Sequence, residues 1–420
     1  MSLQSPDTAP APAIDATRLW QSLMDLAAIG ATELGGVRRL ALTDLDRDGR
    51  DRVCQWLREA GCQILIDAIG NIFAIRSGAR DTEPVGIGSH IDTQPSGGKF
   101  DGNYGVLAGL EIIRALNDAQ IETDRPVAVA IWTNEEGSRF TPVMMGSGVY
   151  AGAFSLEHCL ERTDLDGISV REALARIGYA GSDHAPRFAA FFEPHIEQGP
   201  ILEAEGVTIG AVEGALGQRW FDLELIGQDA HAGPTPLAMR RDALVGAARV
   251  IGEVRRIAAH YPNDARGTVG QLLVAPNSRN VIPGRVRLSI DLRNARADTL
   301  AAMVADIRQA IDQIAADERL EARLDEVVHF TPCHFDRHWV DRIEAIAAQA
   351  GHSVRRIASG AGHDAVYVGQ TCPAAMIFVP CEGGISHNEI ENAQPAHLAA
   401  GAQVLLQAVI EAAGIVAPRK

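Results

Sequence analysis

Several things are scarce in this 420-residue chain. Its six cysteines (Cys54, Cys62, Cys159, Cys333, Cys372 and Cys381) include no Cys-x-x-Cys pair. That excludes a disulfide framework and reads as reduced thiols in a reducing, cytoplasmic compartment. Positive charge is also short: 38 Lys and Arg stand against 54 Asp and Glu, a net charge of −16. Such a balance argues against nucleic acid or an anionic membrane as partner. No stretch approaches the roughly 20 apolar residues that span a bilayer. The opening MSLQSPDTAPAPAIDAT has neither the basic start nor the apolar core of a secretory signal, so residues 1–17 are expected to form a flexible tail. There is no internal repeat.

What remains is the composition of a globular protein, 46% hydrophobic and 22% charged, long enough for two domains. Helical spacing runs from Asp15 to Ile29, and a second helix starts near Thr43 or Asp44 and stops at Gly61. QILIDAIGNIFAIRSG reads as two strands joined at Gly70-Asn71. PVGIGSHID, YGVLAGLEIIRALNDA and RPVAVAIWT then give strand, helix and strand, which implies a crossover and a largely parallel sheet. Short helices are expected at Leu156–Leu160 and Val170–Ile177, and AAFFEPHIEQG reads as a strand.

From about Gly214 the pattern changes. WFDLELIGQ, GTVGQLLVAP, RVRLSIDLR and RLEARLDEVVHF read as strands, with helices at Arg240–His260 and Asp298–Ala316. Helix–strand alternation returns with WVDRIEAIAAQAG, AAMIFVP and a last helix from Pro395 to Ala413. The expected fold is therefore an α/β domain with a mostly parallel central sheet, residues 18–213 and 331–420. Into it is inserted an α+β module, residues 214–330, with a four-stranded antiparallel sheet and two helices.

Metal-capable residues recur where these strands end. His90 and Asp92 lie two apart on one strand, so both side chains face one side and Asp92 can orient the His90 ring. Asp101 follows in a glycine-flanked turn, Glu135-Glu136 follow RPVAVAIWT, His195 ends AAFFEP, and His387 follows AAMIFVP. Ligands in open α/β sheets gather at the carboxyl ends of strands. Three histidines and two carboxylates suit zinc, manganese or a similar divalent ion. If Asp101 bridges, two ions can be held, and one glutamate of the adjacent pair can bind metal while the other stays free as a general base. Taken singly, each of these residues is more often structural or solvated. The case rests on five of them falling at strand ends beside Gly or Pro. His363-Asp364 reads as a substrate loop or a simple turn, and His329, His334, His338 and His397 as surface or packing residues.

GSHIDTQPSGGKFDGNYG, TNEEGSRF, EPHIEQGPILE, GQDAHAGPTPLAMRRDA, NVIPG, DLR, SGAGHDA and GISHNEIE together resemble the hydantoinase/carbamoylase family of amidases, and the resemblance covers nearly all of the chain after the tail. It implies a catalytic domain with an inserted lid and dimerisation domain. It implies two divalent ions per subunit, zinc first, with manganese, cobalt or nickel as alternatives. His90, Asp101 and His195 would hold one ion; Asp101, Glu136 and His387 the other. Glu135 would be the general base, and Asp92 would orient His90. His231 looks like the histidine that stabilises the oxyanion, in its own subunit or across a homodimer. Asn280 and Arg293 look like substrate binders, Arg293 gripping a carboxylate with its planar guanidinium. Gln198 and the Gly362 backbone would contact the ureido group.

The expected reaction is hydrolysis of N-carbamoyl-L-α-amino acids or N-carbamoyl-β-alanine to the amino acid, carbon dioxide and ammonia. Rival expectations are an allantoate or ureidoglycolate amidohydrolase, a dipeptidase or N-acyl amino acid deacylase, and an inactive metal-binding module.

Overall fold

The structure is a computed structural model that describes residues 12–261 and 265–416. It divides into two compact units: residues up to Glu213 with Phe335–Ile357 and Gly362 onward, and Gly214–His334 with Ala358–Ala361.

The first unit is built on one sheet. Its strands run in the order Gln63–Ile66, Ile72–Arg76, Val127–Trp132, Val85–His90, Ala190–Ile196, Ala374–Val379 and Ile209–Ala215, with Val354–Ser359 paired to the last. Only the centre is parallel. Val85–His90 runs parallel to both neighbours, and Ala374–Val379 parallel to Ala190–Ile196. The Gln63–Arg76 hairpin and Ile209–Ala215 pair antiparallel. The sheet is therefore mixed rather than mostly parallel. A hairpin and the antiparallel strand Ile209–Ala215 added to a parallel core produce this, and neither Ile209–Ala215 nor Val354–Ser359 stands out in the sequence.

Every residue of the four central strands is buried. Helices cover the sheet on both sides, as continuous apolar strands require. The helix Pro395–Ala413 is the one described helix long and apolar enough to cross a membrane. Its Leu398, Val404, Leu405, Leu406 and Val409 are buried in this unit, which makes it a core helix.

Residues 1–11 of the expected tail lie outside the described residues. The rest of that span is ordered. The first helix begins at Ala16, because the Asp15 carboxylate accepts from the Thr17 and Arg18 N–H groups and supplies the N-cap. Arg18 then pairs with the buried Glu111 carboxylate at 2.7 Å, tying this helix to Asn103–Asp118.

The second helix, Asp44–Glu59, carries a buried ion pair on its inner face. Arg50 Nε meets Asp46 Oδ2 at 2.8 Å, and its other nitrogens donate to Gly70 O and Thr133 Oγ1. One side chain thus ties the helix to the Gln63–Arg76 hairpin and to the end of Val127–Trp132.

The second unit is antiparallel throughout, with strand order Leu272–Ala275, Arg285–Asn294, Gly217–Ile226 and Glu321–Phe330, and Arg266–Thr268 also paired on Arg285–Asn294. It has five strands rather than four because the expected strand GTVGQLLVAP is broken. Ser289 Oγ accepts from the Gln271 N–H in the gap. Helices Ala243–His260 and Ala297–Glu318 cover one face. Alternate strand residues (Leu223, Leu225, Val286, Leu288, Ile290) pack against Val250, Val254, Ile307 and Ile311 of the helices. The first of these helices starts at Ala243 rather than Arg240, since Asp242 caps it. A separate two-strand ribbon pairs Ala230–His231 with Val281–Ile282.

Replacing Asp46 by Ala leaves the Arg50 cation buried without its partner. The substitution is expected to cost about 3–5 kcal/mol, the usual penalty for half of a buried pair, measured as a shift in the urea unfolding midpoint at unchanged slope.

Candidate metal centre

The parallel strands end side by side, and the ends carry the donors. His90 is the last residue of Val85–His90. Its Nδ1 lies 2.9 Å from the Asp92 backbone oxygen, so Nδ1 carries the proton and Nε2 is the free donor. His195, on Ala190–Ile196, repeats the device, with Nδ1 2.8 Å from Ile196 O. Between them comes Asp101. Its Oδ1 is 3.2 Å from His195 Nε2 and 3.8 Å from His90 Nε2. Its Oδ2 is 3.2 Å from His387 Nε2, which lies 3.3 Å from Glu136 Oε2. Two donor groups result, His90–Asp101–His195 and Asp101–Glu136–His387, each with its atoms within 4.8 Å of one another.

Asp92 acts differently from the expectation. Its carboxylate is 3.9 Å from His90 Nδ1, beyond hydrogen-bond range, and the backbone carbonyl orients the ring instead. The two carboxylate oxygens accept from the Glu135 and Glu136 N–H groups, at 3.3 Å each. Asp92 thus anchors the Glu-Glu turn. Burial, with Asp46 nearby, pushes its carboxyl up to about 7.

The turn itself depends on Asn134, which takes a left-handed backbone (φ 53°) and is held by its side-chain amide on Phe140 O and Pro142 O. Glu136 then enters the second donor group. Glu135 stays outside both, its Oε2 3.5 Å from His90 Nε2. Gln198 and His387 also sit at positive φ, 57° and 54°. Such conformations cost about 1–3 kcal/mol each and cluster at functional sites. Gly102, at φ 66°, allows a close approach: a Cβ there would lie 2.4 Å from the His90 ring.

The electrostatics fit a cation. Burial drives the His90 imidazole down to about 4, so it is a neutral donor. Burial, then the neighbouring carboxylates Asp364, Glu136, Asp92 and Asp101, raise Glu135 well above the usual range. Glu136 is raised by burial and by Asp101 and Asp92. Burial also works to raise Asp101, but hydrogen bonds with His195 and His387 outweigh it and hold the carboxyl well below the ordinary value. Buried carboxylates beside imidazole nitrogens form a set that a divalent ion neutralises.

Gln198 is not free to act alone: its Nε2 donates to Asp101 Oδ2 at 3.0 Å and to Ser386 Oγ at 3.2 Å. Its Oε1 is buried without a hydrogen-bond partner. Gly362 packs where a Cβ would lie 2.8 Å from the Met144 methyl. The next residue, His363, is buried with its ring 4.6 Å from that of His195.

The remaining expected residues belong to the second unit. His231 and Asn280 are brought together there: Ala232 N–H donates to Asn280 O at 2.9 Å, and His231 pairs across the ribbon with Val281. Both are exposed. Arg293 stands apart from them on the large sheet, its guanidinium against Asp291 at 2.8 Å and donating to Gly360 O at 2.7 Å.

Sequence reasoning missed Glu391. This buried carboxylate accepts from the Phe100 and Asp101 N–H groups at 2.9 and 3.1 Å and from Ser386 Oγ at 2.8 Å. It locks the Asp101 turn to the His387 loop. Its only signal was its place four residues after His387. Glu193 was missed as well; it accepts from Ser89 Oγ and the Ala365 N–H, both at 2.7 Å. Replacing Glu391 by Ala strands two buried N–H groups. Divalent-ion affinity is expected to fall about 10–100-fold, the range for residues that orient ligands, when metal-free protein is titrated calorimetrically.

The family model described as Peptidase family M20/M25/M40 matches residues 86–411. An N-carbamoyl-L-amino-acid amidohydrolase from Rhizobium meliloti is 44% identical over 406 residues, 96% of this chain and 98% of its own length. An allantoate amidohydrolase from Bacillus subtilis is 35% identical over 385 residues, 90% of this chain and 93% of its own length. Among solved structures, an amidase of the hydantoinase/carbamoylase family from Burkholderia multivorans superposes with a TM-score of 0.94 at 53% identity, covering 96% of this chain and 99% of that one.

Proposed function

Since the chain belongs to peptidase family M20/M25/M40 and, within it, to the hydantoinase/carbamoylase amidases, hydrolases of C–N bonds in linear amides, we propose that it hydrolyses N-carbamoyl amino acids. The products are the amino acid, carbon dioxide and ammonia. The observation that carries the reading is the pair of donor groups sharing Asp101, with Glu135 in neither and 3.5 Å from His90 of the first. The family is metal-dependent, and the residues to hold two divalent ions are His90, Asp101 and His195 for one and Asp101, Glu136 and His387 for the other. Zinc suits this donor set best. When bound, such ions polarise the carbonyl and make a nearby water more acidic.

Glu135 does the proton work. Raised by burial and by its neighbours, it accepts the proton of the attacking water and delivers it to the leaving nitrogen. The bond between the carbamoyl carbon and the amino-acid nitrogen breaks, releasing the amino acid, and the carbamate that remains decomposes to carbon dioxide and ammonia. Asp92 and the Asn134 turn hold Glu135 in place. The unpaired Gln198 Oε1 is an acceptor for a ureido N–H, and the Gly362 backbone is a further contact for the ureido group.

Arg293 grips the substrate carboxylate. Asp291 and Gly360 hold the guanidinium oriented, with 24% of the side chain still exposed. His231 and Asn280, adjacent on their ribbon, stabilise the oxyanion and the substrate. The second unit acts as lid and dimerisation domain of a homodimer, and the free thiols support a cytoplasmic location.

The allantoate relative supports a second reading, an allantoate or ureidoglycolate amidohydrolase with the same centre and another pocket. Ammonia release from N-carbamoyl-L-methionine, N-carbamoyl-β-alanine and allantoate, assayed side by side on protein of known metal content, separates the two. Turnover of allantoate alone would overturn the carbamoylase reading, and turnover of acyl or peptide substrates alone would overturn both. Glu135→Gln is expected to lower kcat roughly 10²–10⁴-fold with metal content unchanged by elemental analysis. Arg293→Ala is expected to raise KM for carboxylate-bearing substrates at nearly constant kcat; an unchanged KM removes Arg293 from the pocket.

A further inference from the structure

Arg39 is fully buried, and none of its side-chain hydrogen bonds goes to a carboxylate. Nε donates to Ile91 O at 2.8 Å. Nη1 donates to Leu26 O and Ile29 O at 3.0 and 2.7 Å, and Nη2 to Asn103 Oδ1 at 2.6 Å. Its backbone is stitched to the same place, the N–H donating to Thr93 Oγ1 and the carbonyl accepting from the Thr93 N–H. Burial lowers its pKa to about 10, with Asp46 and Asp92 opposing the shift, so it is a cation at neutral pH.

Taking a guanidinium out of water costs several kcal/mol. Leu26 O and Ile29 O at the end of helix Ala16–Ala27 offset part of that, since a helix C-terminus carries partial negative charge. A hydrophobic side chain would fill the space at lower cost, so filling space does not account for the group. The second helix even leaves room for it: a Cβ at Gly49 would lie 2.8 Å from Arg39 Cδ.

The bonds say what the cation holds. Ile91 O lies between His90 and Asp92. Asn103 Nδ2 donates to Asp101 O at 3.1 Å, as does the Asn103 N–H at 2.7 Å. One rigid, planar fork therefore touches the strand end that presents His90 and, through Asn103, the turn that presents Asp101. We propose that Arg39 is a positioning residue of the metal centre, setting the separation of His90 and Asp101 before an ion arrives. The inference rests on the metal-centre reading above. A lysine cannot replace the fork, because a single ammonium cannot reach these separated acceptors in one plane.

The test compares wild type with Arg39→Lys, Arg39→Met and Asn103→Ala. Zinc affinity of the folded protein is measured by chelator competition, with thermal melting and a kcat and KM determination on a turned-over ureide. Zinc affinity is expected to fall about 10–100-fold in all three variants, with kcat falling in step and KM changing less than about twofold. Asn103→Ala keeps Arg39 and its three carbonyl partners, so it decides the matter if the Arg39 variants do not fold. Lowered melting temperatures with wild-type zinc affinity would assign Arg39 to fold stability alone and overturn the proposal. Wild-type protein that binds no zinc or other divalent ion would instead sink the metal-centre reading, and this inference with it.

Discussion

Four carboxylates, those of Asp92, Asp101, Glu135 and Glu136, are held out of water at the ends of adjacent strands. Their mutual repulsion is the constraint that the first unit has to satisfy. Isolated buried anions are among the costliest arrangements a protein can contain. Each is met by something specific. Asp92 takes two backbone N–H groups, Asp101 takes two imidazoles, and Glu136 takes the Gln94 amide at 2.6 Å. Glu135 has the least: burial and four acidic neighbours push it toward its protonated form. A carboxylate shifted in that direction holds a proton more readily than an exposed one, which suits a group that accepts and returns a proton.

Behind this layer the same unit places two fully buried arginines, Arg39 and Arg50. They hold the strand ends and the turns beside them, Arg50 through Gly70 and Thr133 and Arg39 through Ile91 and Asn103. The work is divided: the arginines hold strand ends and turns, and the histidines and carboxylates are left facing one another. Glu391 completes the arrangement by joining the Asp101 turn to the His387 loop. Rigid supports of this kind bring ligands to within a few tenths of an ångström of useful geometry.

The second unit follows simpler rules. Its sheet is covered on one face by two helices and alternates apolar and polar residues accordingly. The residues of chemical interest lie off that core: His231 and Asn280 on a short ribbon, and Arg293 on the uncovered face beside Asp291. A packed antiparallel scaffold with polar groups at its margin is an economical way to present several side chains from one insertion.

Local pattern in the chain was enough to delimit most elements. Leu156–Leu160, Val170–Ile177 and Pro395–Ala413 were legible to the residue, because spacing, caps and a proline at a helix start act over a few positions. The recurrence of His90, Asp101, Glu136, His195 and His387 beside Gly or Pro at strand ends was legible too, since a parallel sheet sends its strand ends to one edge. Three things were not. Strand Ile209–Ala215 joins the sheet although its glycines weaken any local signal, and its pairing makes the sheet mixed. Asp92 faces the Glu135 turn rather than His90, because residue spacing gives the side of a strand but not which of two polar groups, carbonyl or carboxylate, comes within reach. Arg39 and Glu391 acquire their meaning only from partners 52 to 291 positions away in the chain. Short-range order was written in the periodicity; the long-range hydrogen bonds that arm the site exist only once the strands and turns have packed.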